Sequence, residues 1–240
     1  MKDAVVIIPT YNEIENIVSI IEAVFEQSRD IHVLVVDDNS PDLTANQVRG
    51  LQEKYKNRLF LEVRNSKSGL GTAYIHGFKW CLSKTYQYIF EMDADFSHNP
   101  KDLIKLYEAC SLKQADLSIG SRYVTGVNVV NWPMNRVLMS YLASKYVRLI
   151  TGMKIHDTTA GFVCYKRSTL EALNLNKIKF IGYAFQIEMK FKTYLKKLNI
   201  IEVPVIFTDR TKGESKLSSG IISEAILGVV SMKINSIFKK

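Results

Sequence analysis

Short apolar runs rich in β-branched residues alternate along the first half of the chain with longer segments of mixed polarity. The runs cover residues 4–8, 32–36, 59–63, 88–92 and 117–119. Because the segments between them are long enough for helices, the order predicts alternating strands and helices around a largely parallel sheet. The continuous apolarity of each run indicates a strand buried on both faces. The pattern therefore predicts an α/β fold with helices flanking a central sheet.

The regular alternation ends near residue 125. Beyond it, the spacing of apolar residues predicts helices over residues 134–150 and 185–197 and strands over residues 162–165 and 200–207. A polar loop rich in charge follows the last of these strands, and such a loop suits a mobile segment at a ligand as well as a plain surface loop.

Apolar residues recur once more at helical spacing from Ile221 to Val230, and the chain ends in two lysines. This spacing predicts an amphipathic helix. We expect one domain over residues 1–218 and this helix over residues 219–240. The apolar face of the helix packs either on the protein's own core or a partner, or on a membrane surface.

Polar residues directly follow three of the predicted strands, at residues 11–13, 37–40 and 93–97. In open α/β sheets, ligands bind beyond the carboxyl ends of the strands, so we expect these clusters to converge on one edge of the sheet. Asn12 with Glu15 also forms a capping-box pattern, which predicts that a helix begins there.

Asp93 and Asp95 flank Ala94 at the end of the fourth predicted strand. Alternation along an extended chain places both carboxylates on the same side, where two like charges need a cation. Hard oxygen ligands suit Mg²⁺ or Mn²⁺, which bridge to substrate phosphates. The pair alone also fits an ordinary loop or helix cap, but its position on the same predicted edge as Glu13 and Asp38 favours a metal site.

Thirty-two basic and 24 acidic residues give a net charge of +8, which favours anionic partners such as nucleic acid, phosphorylated substrates or an acidic membrane surface. Arg122, Arg136, Arg210 and Lys216 stand where phosphates can use them, although each alone also fits a solvated surface. A nucleic-acid-binding module is disfavoured, because the chain has neither a basic run with interleaved aromatic residues nor a recognisable recognition helix.

The three cysteines, Cys81, Cys110 and Cys164, are far apart and odd in number, which predicts neither a disulfide framework nor a zinc site. The chain begins without the long apolar stretch of a signal peptide, and Glu224 and Lys233 interrupt the best candidate for a transmembrane segment. We therefore expect a protein of the cytoplasm.

The order of the polar motifs resembles that of family 2 glycosyltransferases. The matching segments are Ile8-Pro9-Thr10-Tyr11-Asn12-Glu13, Val36-Asp37-Asp38-Asn39-Ser40-Pro41-Asp42, Gly69-Leu70-Gly71 and Asp93-Ala94-Asp95. Further segments are similar to the polyprenol-phosphate (dolichol-phosphate) mannosyltransferase branch: Gly120-Ser121-Arg122-Tyr123, Asn131-Trp132-Pro133, Phe185-Gln186-Ile187-Glu188 and Arg210-Thr211-Lys212-Gly213-Glu214-Ser215-Lys216. The resemblance covers roughly residues 5–218.

This resemblance implies a single nucleotide-sugar-binding α/β domain of the glycosyltransferase A type and gives several residues a role. The residues that hold the donor are Pro9, Tyr11, Glu13, Val36, Asp38 and the Asp93-Ala94-Asp95 segment. Asp93 and Asp95 bind the metal, and Asp95, Arg122, Arg210 and Lys216 form the catalytic set. The three cations of that set meet the diphosphate, the sugar or the acceptor phosphate, and Arg136 meets the acceptor phosphate near the membrane.

The activity that the resemblance implies is metal-dependent, inverting transfer of mannose from GDP-mannose to a polyprenyl phosphate. The alternatives are another nucleotide sugar, such as UDP-glucose, or a non-lipid acceptor. Two departures bear on the site: Ser97 stands where many relatives have a glutamine that contacts the metal, and residues 159–163 differ from the usual Thr-Ser-Gly-Phe-Arg. We expect a protein peripheral on the cytoplasmic membrane face, which meets its lipid by surface docking or through a membrane-anchored partner protein.

Overall fold

Nine strands and eight helices make up the part of the chain that the structure, a computed structural model, describes: residues 1–182, 184–209 and 219–238. The strands are β1 (Ala4–Thr10), β2 (His32–Asp37), β3 (Leu59–Val63), β4 (Tyr88–Glu91), β5 (Leu117–Ser121), β6 (Val129–Val130), β7 (Val163–Lys166), β8 (Ile200–Pro204) and β9 (Phe207–Thr208). The helices are α1 (Ile17–Phe25), α2 (Thr44–Gln52), α3 (Leu70–Leu82), α4 (Asp102–Ser111), α5 (Met134–Thr151), α6 (Arg167–Ala172), α7 (Ala184–Leu195) and α8 (Ser219–Ile237), with a short 3₁₀ turn at Leu175–Lys177.

The central sheet has seven strands in the order β3-β2-β1-β4-β7-β5-β8. Only β7 runs against the others in this sheet, since it pairs antiparallel with both β4 and β5, while every other pairing is parallel. The prediction of an α/β fold with a largely parallel sheet flanked by helices is confirmed.

Alternate residues of the strands supply the cores on the two faces of the sheet. Along β1, Val5 and Ile7 belong to one buried cluster, while Val6 and Ile8 belong to the other. The first cluster includes apolar residues of α3 and α7, and the second includes those of α1 and α4. Burial on both faces explains why these strands are continuously apolar in sequence.

The predicted strand over residues 200–207 is two strands in the structure. Pro204 ends β8, and β9 begins three residues later and pairs with β6 in a separate two-stranded sheet. Proline has no N–H group with which to extend a ladder, so a change of partner at this point costs little.

The predicted capping box at Asn12 is wrong, because α1 begins at Ile17. Asn12 instead adopts a left-handed conformation with φ of 56°, and the amides of residues 12–14 donate to side chains that follow β2. These tertiary bonds override the local capping preference. Within the described residues, no helix combines the length and the apolarity that crossing a bilayer requires.

Candidate active site

The polar clusters after β1, β2 and β4 lie side by side at the carboxyl edge of the sheet. β1 sits between β2 and β4, with Pro9 opposite Val36, Thr10 opposite Asp37, and Ile7 opposite Glu91. Each cluster begins where its strand ends, so parallel pairing alone brings them to one edge.

Three consecutive amides of the first cluster are bound to the loop after β2. Asn12 N donates to Ser40 Oγ at 3.0 Å, Glu13 N donates to Thr44 Oγ1 at 3.0 Å, and Ile14 N donates to Asp42 Oδ2 at 3.0 Å. The two loops therefore form one rigid wall of the edge, although residues 12–14 and 40–44 are distant in sequence.

Asp37, the last residue of β2, and Asp38, which follows it, have different roles. The buried Asp37 carboxylate accepts hydrogen bonds from Thr10 Oγ1 at 2.8 Å and from Ser40 N and Oγ at 2.9 and 2.7 Å, which fixes the turn. Asp38 pairs instead with Arg64, whose Nε lies 2.6 Å from Asp38 Oδ1. The prediction missed Arg64, although its place directly after β3 was visible in the sequence.

The start of α3 is packed tightly against the segment that precedes α7. Gly69 has φ of 97°, a conformation that favours glycine, and Gly71 N donates to Ile181 O at 2.8 Å. A Cβ atom on Gly71 would lie 2.8 Å from the Phe185 ring. The Glu188 carboxylate holds the segment before α7 in place by accepting hydrogen bonds from the amides of residues 179 and 180 at 2.8 and 3.0 Å.

The carboxylates of Asp93 and Asp95 lie on a turn that several side chains hold in place. Tyr74 Oη donates to Asp93 Oδ1 at 3.5 Å, and Ser97 N donates to Asp95 Oδ1 at 3.1 Å. The Ala94 side chain is buried in the core, so Ala94 presents only its backbone to a ligand. The Tyr74 hydroxyl and the Ser97 amide therefore help to orient the two carboxylates.

His98 supports this carboxylate turn, and the prediction missed it. Its Nδ1 accepts the Asp93 N–H at 3.1 Å, and its ring stacks on Phe162 with centroids 4.8 Å apart. Burial lowers the pKa of His98 to about 4, so the ring is neutral at neutral pH and keeps the lone pair that the Asp93 amide needs. The position of a histidine five residues after Asp93 was the available signal.

The donor set on the turn suits a hard divalent cation. Ser97 Oγ is buried beside Asp95 and has no hydrogen-bond partner among the described residues. Those residues contain no cluster of three or more His, Cys, Asp or Glu side chains able to hold a metal. Two carboxylates and a hydroxyl fit Mg²⁺, which is commonly held by one or two carboxylates together with substrate phosphates.

Arg122 follows β5 and is anchored to a second residue that the prediction missed, Asp157. Arg122 Nε and Nη2 lie 2.7 and 2.6 Å from the two Asp157 oxygens, and Nη2 also donates to Thr159 Oγ1 at 2.9 Å. Burial raises the pKa of the Asp157 carboxyl, but the Arg122 guanidinium outweighs it and holds that pKa below its usual value. The pair fixes Arg122 in one orientation.

An indole ring links Arg122 to Arg136. The Arg122 guanidinium lies 5.5 Å and that of Arg136 lies 4.0 Å from the Trp132 ring centroid. Arg136, in the first turn of α5, also pairs with Asp209 at 2.7 Å. The structure thus brings two of the predicted cations together at the carboxyl edge, on the side of β5.

The remaining predicted site residues have different surroundings. Pro9, Tyr11 and Glu13 are half-buried at the edge, and Lys67 Nζ lies 4.4 Å from the Tyr11 ring centroid. The Val36 side chain is fully buried in the core, so only its backbone borders the edge. Arg210 and Lys216 lie outside the described residues.

Comparison with known sequences gives one family match and two relatives at 44% identity. Residues 5–173 match the protein family described as Glycosyl transferase family 2. The chain is 44% identical over 224 residues to a polyprenol monophosphomannose synthase of Mycolicibacterium smegmatis, a match that covers 93% of this chain and 84% of that protein. It is also 44% identical over 225 residues to an undecaprenyl-phosphate mannosyltransferase of Micrococcus luteus, covering 93% and 90% of the two chains.

Solved structures share the fold at low sequence identity. Glucosyl-3-phosphoglycerate synthase from Mycobacterium tuberculosis, crystallised with Mn²⁺, UDP and glucosyl-3-phosphoglycerate, superposes with a TM-score of 0.67 at 14% identity. The match covers 97% of this chain and 79% of that one. The same protein in complex with phosphoglyceric acid gives a TM-score of 0.68.

Proposed function

The chain belongs to glycosyl transferase family 2, and from this premise we propose that it transfers mannose from GDP-mannose to a polyprenyl phosphate. The observation that carries the proposal is the arrangement of the carboxyl edge of the sheet. The carboxylate turn of Asp93 and Asp95 and the Arg122–Trp132–Arg136 cluster both lie along this edge. The two relatives at 44% identity, both named as enzymes that mannosylate polyprenyl-type phosphates, support this choice of substrates.

The donor nucleoside occupies the wall formed by the loops after β1 and β2. Tyr11 offers an aromatic face, and Glu13 and Asp38 offer carboxylates that can accept hydrogen bonds from a purine base or a ribose. Pro9 and the backbone of Val36 border the same space. Because Arg64 already pairs with Asp38 at 2.6 Å, that carboxylate is held in one orientation before the nucleoside binds.

Asp93, Asp95 and Ser97 hold Mg²⁺ or Mn²⁺ in this proposal. The Ser97 hydroxyl has no hydrogen-bond partner in the part of the chain that the structure describes, which supports its inclusion, since a buried hydroxyl without a hydrogen bond carries a free-energy penalty that a cation would remove. When bound, the ion supplies charge that stabilises the departing diphosphate. The role of the protein is to hold the two carboxylates and the hydroxyl towards that diphosphate.

The acceptor phosphate meets the cations on the β5 side of the edge. A phosphate monoester is largely dianionic near neutral pH, so its oxygen attacks the anomeric carbon with little help from a general base. Attack opposite the nucleotide inverts the configuration. Arg122 and Arg136 orient the phosphate, and Arg210 and Lys216 complete the set of cations that stabilises the diphosphate.

His98 does not act as the base in this scheme. It is buried, and its Nδ1 is occupied by the Asp93 amide. Its part is to keep the carboxylate turn in position.

The acceptor lipid is reached by docking on the cytoplasmic membrane face. Apolar side chains lie exposed along one side of α5 and along α8: Met134, Leu138, Met139, Leu142, Leu149, Ile226, Leu227, Val230, Ile234 and Ile237. Met139 lies three residues after Arg136 on α5, a spacing that makes the two side chains neighbours on the helix surface, so the apolar surface reaches a cation assigned to the acceptor phosphate. The net charge of +8 adds attraction to anionic headgroups.

The experiment that tests this function offers purified protein several sugar-labelled nucleotide sugars, with polyprenyl phosphate or a water-soluble phosphate as the acceptor. We expect label to enter the lipid from GDP-mannose with Mg²⁺ or Mn²⁺ present. Transfer from UDP-glucose instead would replace the donor in the proposal. Transfer of label only to the water-soluble phosphate would contradict the proposed lipid acceptor.

A further inference from the structure

A lysine is buried inside the protein behind the candidate active site. Lys190 of α7 is 0% exposed, and its ammonium donates to the Ala160 carbonyl at 2.6 Å. It also contacts Gln186 O at 3.3 Å and Gln186 Oε1 at 3.2 Å. A cation removed from water is unfavourable unless its donors are satisfied, and here Ala160 and Gln186 accept them.

The Gln186 side chain joins this lysine to the strand that carries the carboxylate turn. Gln186 Nε2 donates to the fully buried Glu91 carboxylate, and Glu91 lies two residues before Asp93. One polar chain thus runs from the Ala160 carbonyl through Lys190 and Gln186 to the end of β4.

Ala160 lies in the middle of a loop that touches both halves of the site. On one side of it, Asp157 and Thr159 hold the Arg122 guanidinium. On the other, Phe162 stacks on His98, which accepts the Asp93 amide. A shift of the Ala160 carbonyl would therefore move Arg122 and the carboxylate turn relative to each other.

We propose that Lys190 is a positioning residue, which fixes the loop of residues 157–162 so that Arg122 and the carboxylate turn keep the separation that transfer needs. The proposal rests on the proposed function for its kinetic consequences. A charge-assisted hydrogen bond is about twice as strong as a neutral one, which is why an ammonium holds this carbonyl better than a neutral donor would. Within residues 1–182 and 184–209, the hydrogen bonds of Lys190 and Gln186 do not involve the donor wall formed by the loops after β1 and β2.

The test compares Lys190→Met and the double variant Glu91→Gln/Lys190→Met, which removes both ionisable groups of the polar chain, with wild type. Lys192→Met is the matched control, because Lys192 lies on the same helix and also bonds a carboxylate, Glu188, at 2.7 Å and a backbone carbonyl, that of Lys177, at 2.7 Å. We expect kcat/KM for polyprenyl phosphate to fall about 10- to 100-fold in both Lys190 variants, while KM for the nucleotide sugar changes less than about twofold. The control should match wild type.

The double variant separates the loss of positioning from the effect of leaving Glu91 buried without the lysine. We expect it to melt closer to wild type than Lys190→Met does, since no ionisable group of the polar chain is then left buried without its partner, yet to stay kinetically impaired. Wild-type kinetics in the double variant would overturn the proposal.

A second readout does not depend on the reaction. Amide hydrogen exchange in the peptide that spans residues 156–162 should be faster in the double variant than in wild type or Lys192→Met. Unchanged exchange would refute the positioning role even if the wild type transferred no sugar, whereas absence of transfer by wild type would refute only the proposed function.

Discussion

Replacing exposed leucines of α5 should weaken attachment to anionic membranes. Leu138 and Leu142 lie one helical turn apart and are 53% and 59% exposed, so their substitution by serine leaves the core intact. Fully burying a leucine is worth about 1.5–3 kcal/mol. Scaled by the exposed fractions, losing both side chains from the bilayer interface costs about 2 kcal/mol, or roughly a thirtyfold lower partition coefficient.

The assay is co-sedimentation with vesicles that contain anionic lipid, at an ionic strength of about 0.1 M and again at about 1 M. Leu112→Ser is the matched control, because Leu112 is 73% exposed but follows α4, away from α5 and α8. We expect Leu138→Ser/Leu142→Ser to bind roughly thirtyfold more weakly and Leu112→Ser to bind like wild type. High salt should weaken binding of all three proteins, since it screens the positive charge.

Two results would refute this reasoning. Equal binding by the double variant and wild type would show that the exposed face of α5 does not enter the interface. Negligible binding by wild type to every vesicle would remove autonomous docking and favour a membrane-anchored partner protein.

Three further predictions concern stability. Gly71→Ala should cost about 1–3 kcal/mol in denaturant unfolding, because its Cβ would lie 2.8 Å from the Phe185 ring; an unchanged midpoint would contradict the packing. Asp157→Asn should cost about 3–5 kcal/mol, since it leaves the Arg122 cation buried without its partner; a loss below about 1 kcal/mol would contradict a buried pair. Burial lowers the pKa of His32, so the folded chain binds the His32 proton only at a lower pH than the unfolded chain does, and the free energy of unfolding falls as pH drops through about 6.5. Between pH 7.5 and 5.5, the melting temperature of His32→Gln should therefore fall less than that of wild type. An equal fall in both proteins would contradict this effect of His32.

The edge of the sheet that carries the candidate site could be predicted, because its signal is local. Polar residues such as Asp93 and Asp95 follow buried strands directly, and parallel pairing then brings them together. The sequence motifs also identified the family, and the comparisons confirm it. The antiparallel insertion of β7 between β4 and β5 left no such local signal.

The supporting residues could not be predicted for the opposite reason. Arg64 and Asp157 act through partners 26 and 35 residues away in sequence, Asp38 and Arg122. The place of Arg64 directly after β3 marked it as a residue of the carboxyl edge, but nothing in the neighbouring residues identifies the partner in either pair. The wrong helix start at Asn12 has a similar cause, since bonds to the loop after β2 outweigh a valid local capping pattern.

The central claim is that the carboxylate turn of Asp93 and Asp95 serves sugar transfer to a lipid phosphate. Its most direct test measures labelled mannose extracted into the organic phase from GDP-mannose and polyprenyl phosphate, for wild type and Asp95→Asn, with Mg²⁺ or Mn²⁺ and with chelator. We predict labelled lipid from wild type with metal, and a loss of about 100-fold or more in the variant and in chelator, since the leaving diphosphate then lacks its counter-charge. Equal amounts of labelled lipid from wild type and Asp95→Asn, or from wild type with and without chelator, would contradict it.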